Sequence, residues 1–88
     1  MLNLPSTLTQ DVAHDCLLTL RSGMQAEPQT IVVDGASLQR FDSSALAVLL
    51  ELRRECARAG KRFVVQGLPE RLRDLASLYG IQGLLPSA

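Results

Sequence analysis

Between Thr30 and Leu52 the pattern of apolar and polar positions changes period within a short span. Ile31, Val32 and Val33 form a continuous β-branched run, the signature of a buried strand, and Asp34-Gly35 ends it with turn residues. From Ala45 onward the spacing becomes helical. Ala45, Val48, Leu49, Leu52, Cys56 and Ala59 fall on one stripe of a helical wheel, while Leu46, Leu50 and Ala57 form a second line displaced from it, with Arg53 between the two. Glu51, Arg54, Glu55 and Arg58 fill the polar arc. The combined apolar arc is wider than one sheet contact needs. The second line is therefore either covered by the preceding loop or a neighbouring helix, or left exposed as a docking seam. Just ahead of this helix, Asp42, Ser43 and Ser44 offer side-chain acceptors for the free N–H groups of a helix start, which makes them its cap candidates.

The same pattern organises the flanks. Leu2 and Leu4 alternate before Pro5, which predicts one short strand. Thr9 is placed to cap a helix with Asp11 in its first turn; Val12, Cys16, Leu17, Leu20 and Met24 form its apolar face, with Gly23 as a left-handed stop and a loop over Gln25 to Gln29. Gly60 closes the helix that starts after Ser43, and Phe63 to Gln66 reads as a second buried strand. Pro69 suits the first position of a third helix whose face is Leu72, Leu75, Ala76 and Tyr79 and whose end is Gly80. The apolar tail from Ile81 to Leu85 docks or forms a last edge strand, stopped by Pro86. Strands alternating with helices predict an α/β fold, with Ile31 to Val33 parallel to Phe63 to Val65 through a right-handed crossover.

Composition narrows the function. At 88 residues the chain has room for one domain spanning positions 1 to 88. Nine basic and nine acidic residues cancel, and aromatics make up 3% of the chain, so nucleic acid is not an expected partner. The longest apolar run, Ala45 to Leu50, is far shorter than a membrane span, and the first residues lack a basic leader, so the expectation is a cytoplasmic protein with no direct membrane insertion. Cys16 and Cys56 lie on predicted helical stripes, where a reduced thiol packs as a small hydrophobe. There is no glycine-rich phosphate loop, no Gly-x-Ser-x-Gly elbow and no metal-spaced His/Cys/Asp/Glu set, so no catalytic residue, metal or cofactor is expected. His14 reads as a solvated surface residue, and Asp34 and Asp42 read as a strand-end and a cap residue rather than a catalytic carboxylate pair.

The order IVVDGASLQRFDSSALAVLLEL resembles the central motif of STAS domains, in which an apolar strand ends in Asp and a loop leads to Asp-Ser-Ser-Gly-Leu and a helix. Asp34, Phe41, Asp42, Ser43, Ser44 and Leu46 fall on that pattern, while Ala45 stands where the family usually has glycine. Leu75-Ala76-Ser77-Leu78-Tyr79-Gly80-Ile81 with Leu84-Leu85-Pro86 is similar to the C-terminal end of the MlaB branch. The resemblance implies a STAS-like α/β fold: a small mixed or parallel sheet with helices packed against it, and a shortened N-terminal strand pair. It also implies a non-enzymatic accessory subunit that binds the cytoplasmic ATPase of an Mla-type phospholipid ABC transporter, peripheral to the inner membrane through that complex. The contact would involve Asp42, Ser43, Ser44, Ala45, Leu46, Leu50, Arg53 and Arg54. The alternative within the family is an anti-sigma-factor antagonist that binds a serine kinase and is phosphorylated at Ser44, the second serine of the pair; in the MlaB branch the functional hydroxyl aligns with Ser43.

Overall fold

The computed structural model describes residues 1–87. Three strands, β1 (Leu2–Asn3), β3 (Thr30–Asp34) and β5 (Arg62–Gln66), form a parallel sheet in the order β1-β3-β5. A second parallel pair joins β2 (Thr7–Leu8) to β4 (Arg40–Phe41). The helices are α1 (Gln10–Gly23), α2 (Ser44–Arg58) and α3 (Glu70–Leu78).

The expected parallel pair is present: Ile31 lies opposite Phe63 and Val33 opposite Val65. Because side chains alternate across a strand, this register sends Ile31, Val33, Phe63 and Val65 to one face. All four are buried in a single apolar cluster with Leu49, Leu52 and Cys56 of α2 and Leu72 and Ala76 of α3. Leu20 and Met24 join that cluster from α1 and the 3₁₀ turn (Met24–Ala26) that follows it.

Several expectations need correction. The N-terminal segment holds two very short strands rather than one, and they do not pair with each other: β1 adds to β3 and β2 to β4. Gly23 has a φ of −68°, so it is no left-handed stop; the chain instead tightens into the 3₁₀ turn. Its lack of a side chain has a different cause, since a Cβ there would stand 2.7 Å from Leu2 Cδ2. Ala59 lies beyond the last turn of α2 and is exposed, and Tyr79, at the end of α3, is 57% exposed. Helix α3 begins at Glu70, with Pro69 just outside it in extended conformation. In the tail, a 3₁₀ turn (Gln82–Leu84) brings Leu85 into the core. Pro86 does not stop the pairing: its carbonyl accepts from Val65 N–H at 2.8 Å, and Ser87 bridges Val65 in parallel. Proline lacks only the donor, so an edge pairing through its carbonyl is permitted.

Candidate partner-binding site

The chain from Asp34 to Ser44 crosses from the end of β3 to the start of α2. It opens with an Asx turn, in which Asp34 Oδ1 accepts from Ala36 N–H at 3.1 Å. Gly67 lies against this turn with a φ of +66°, and a Cβ there would stand 2.7 Å from Asp34 Oδ1. Glycine meets both the backbone and the spatial demand. Leu38 is buried and Phe41 packs against the core, so the loop is held to the body of the domain before α2 begins.

The apolar second line divides in the structure. Leu46 is 2% exposed and belongs to the core, while Leu50 is half-buried against it; only Ala57 of the three stands in solvent. Ala45 is fully buried as well, so neither Ala45 nor Leu46 belongs to a surface open to a partner. The expectation that Leu46 contacts a partner is corrected by its burial in the core. Arg53 and Arg54 are exposed, and Arg54 Nη1 lies 3.8 Å from Glu51 Oε2 on its own helix.

The helix start is built by Asp42. Its Oδ1 accepts from the backbone N–H of Ser44 at 2.8 Å, and its Oδ2 accepts from the backbone N–H of Gln10 at 3.1 Å. Ser44 and Gln10 are the first residues of α2 and α1, so one carboxylate satisfies an orphan donor at two helix N-termini. Its pKa lies below the usual carboxylate range, chiefly because Ser44 N–H donates to the charged form, with the Ser44 side chain and Gln10 N–H adding to the effect against partial desolvation. The two expected hydroxyl caps are absent from their helices. Ser43 makes no side-chain capping bond, and the Thr9 hydroxyl donates to the Asp11 carboxylate instead.

Ser43 is therefore exposed at the leading edge of α2 with its hydroxyl uncommitted to the helix. Ser44 is half-buried on the wall of a shallow cleft between α1 and α2 that His14, Leu17, Ala47 and Glu51 also line. A family model described as "Mlab, STAS domain" matches residues 1–86. The chain belongs to the STAS domain family. No curated protein matches it.

STAS domains are protein-interaction modules of regulatory or accessory proteins. Asp34 and Asp42 are each engaged with backbone N–H groups. Among the described residues no group of three or more His, Cys, Asp or Glu side chains is placed to hold a metal ion, and no helix is long and apolar enough to cross a membrane. Cys16 and Cys56 are free thiols, each pushed above the ordinary value chiefly by burial, which leaves them poor nucleophiles. The residue that sequence reasoning missed is Gln10. Its role belongs to a backbone N–H and depends on where α1 is packed, so no side-chain signal marks it.

Proposed function

We propose that this STAS domain is a non-catalytic accessory subunit that docks the turn from Asp42 to Ser44, with the exposed flank of α2, onto the cytoplasmic ATPase of an Mla-type phospholipid ABC transporter. It holds that ATPase in its assembled, active form. The observation that carries the reading is Ser43: an exposed hydroxyl at the mouth of a helix, spared from capping because Asp42 does that work from the neighbouring position. The breadth of the Mlab-described match, over residues 1–86, supports the same branch of the family. Leu50, Arg53 and Arg54 remain on the side of α2 open to the partner, whereas Ala45 and Leu46 act from beneath by fixing the helix.

The test is reconstitution with the purified ATPase of the same transporter. The wild-type domain is expected to co-elute with it and raise its ATP turnover, and Ser43→Arg to lose both while melting like wild type. No complex with the wild-type domain ends the reading.

A second reading, a phosphorylation-controlled antagonist of an anti-sigma-factor kinase, draws on Ser44. A phosphate there would stand beside the Asp42 carboxylate and repel it from the two helix N-termini it holds. Incubation with the candidate kinase and ATP, followed by mass spectrometry of the tryptic peptide carrying Ser44, decides it; an unmodified peptide rejects it.

A further inference from the structure

Beside the recognition turn, Phe41 and the outer flank of α3 enclose a groove lined by Phe41, Arg71, Asp74, Leu75 and Leu78. Two features of it are not explained by folding. Leu78 is 78% exposed, the most exposed of the large apolar side chains, although α3 has an apolar face already satisfied by Leu72 and Ala76. Arg71 has Asp74 one turn along its own helix, the spacing of an i,i+3 ion pair, yet no ion pair of Arg71 exists among the described residues. Its guanidinium lies instead over the Phe41 ring, 5.5 Å from the centroid.

A guanidinium laid on an aromatic face is held in orientation by the ring while its in-plane N–H donors stay free, the arrangement that receives a carboxylate through paired hydrogen bonds. Arginine and aromatic side chains are also enriched where proteins meet. We infer that this groove is a docking site for a partner segment that presents an acidic side chain to Arg71 next to a large apolar side chain that packs on Phe41, Leu75 and Leu78. Charge complementarity selects the acid, since the guanidinium has no carboxylate of its own. Asp74 sets the direction: an incoming acid avoids it by approaching from the Phe41 side, and the apolar anchor falls toward Leu78. Phe41 immediately precedes Asp42, so the groove continues the surface of the Ser43 turn, and its assignment to the same ATPase rests on the function proposed above.

Two experiments on the full chain test it. In the first, a random peptide library displayed on phage is selected against the immobilised domain. Enriched peptides are expected to carry Asp or Glu beside Leu, Phe or Met. They are expected to lose affinity by about tenfold or more against Arg71→Ala and against Leu78→Glu. Arg71→Lys, which keeps the charge but not the planar fork, is expected to restore only part of it. Arg73→Ala, on the opposite flank of α3, is the control and should bind within about twofold of wild type. Failure to enrich peptides, enrichment without acidic residues, or binding indifferent to Arg71 and Leu78 overturns the inference. In the second, the same variants are titrated with the ATPase. Wild-type binding with Arg71→Ala and Leu78→Glu unaffected overturns the groove and leaves the proposed function standing. Absence of wild-type binding overturns that function, and the peptide selection then decides the groove alone. Leu78 and Arg71 are exposed, so all variants are expected to melt with wild type.

Discussion

Replacing Leu46 by alanine separates a side chain that builds the domain from one that a partner could touch. Leu46 stands at 2% exposure within the core cluster. At about 0.8 kcal/mol per buried methylene, the isopropyl group lost in Leu46→Ala accounts for roughly 2–2.5 kcal/mol of transfer free energy. The cavity left in a core that relaxes only in part brings the cost to about 2–5 kcal/mol. An 88-residue chain at roughly 0.05–0.15 kcal/mol per residue has a total stability of about 4–13 kcal/mol, so the variant loses a large fraction of it. The chain has no tryptophan, and its one tyrosine, Tyr79, is exposed, so the assay is urea denaturation followed by far-ultraviolet circular dichroism. The midpoint should fall with the slope unchanged, and the melting temperature should drop by about 10 °C or more. Leu78→Ala, at 78% exposure, should stay within about 0.5 kcal/mol of wild type. A Leu46→Ala variant as stable as wild type would refute the burial and return Leu46 to the surface.

The capping geometry makes Asp42→Ala lower the melting temperature by several degrees and Ser43→Ala leave it unchanged, the reverse of what a serine cap requires; equal melts for the two would contradict the assignment. Because the folded pKa of Asp42 is depressed, its contribution is present above the unfolded value near pH 4 and is lost as pH falls through the lower folded value. Melting temperature plotted from about pH 5 down to pH 2 should therefore fall less steeply for Asp42→Ala than for wild type, and parallel curves would remove the carboxylate from the acid limb. Gly67→Ala should destabilise the fold more than Gly60→Ala: both residues have positive φ, which costs alanine about 1–2 kcal/mol, but only at Gly67 does the new Cβ also meet a neighbour, Asp34 Oδ1. Urea midpoints for the pair measure the difference, and equal midpoints would show that the Asx turn moves aside freely.

The strands and helices that depend on local period were legible in the sequence. Ile31 to Val33 and Phe63 to Gln66 announced themselves by β-branched and aromatic runs, and α2 by its stripe from Ala45 to Cys56. What failed were readings in which one residue type has two uses. Gly23 looked like a helix stop, yet a Cβ there would meet Leu2; Ser43 and Thr9 looked like caps, yet of the cap candidates it is Asp42, read as a cap from the sequence, that bonds the start of α2 and also that of α1. The wheel of α2 showed correctly that its apolar arc was too wide for the sheet alone. It carried no information on what buried the excess, because the cover comes from residues outside the helix. The Phe41 and Arg71 contact was invisible for the same reason, as its partners come from β4 and α3.

The double grip of Asp42 has a practical consequence for anyone wishing to isolate the Asp-Ser-Ser turn. A synthetic peptide spanning residues 34 to 58 would contain the whole Asp-Ser-Ser motif and all of α2, yet Asp42 Oδ2 would have lost the Gln10 N–H that holds it from the other side. In such a fragment the carboxylate keeps only its bond to the Ser44 N–H and is held from one side. The motif is thus not portable as a linear epitope: a mimic must carry the first turn of α1 as well, joined to the fragment so that two helix starts converge on one side chain.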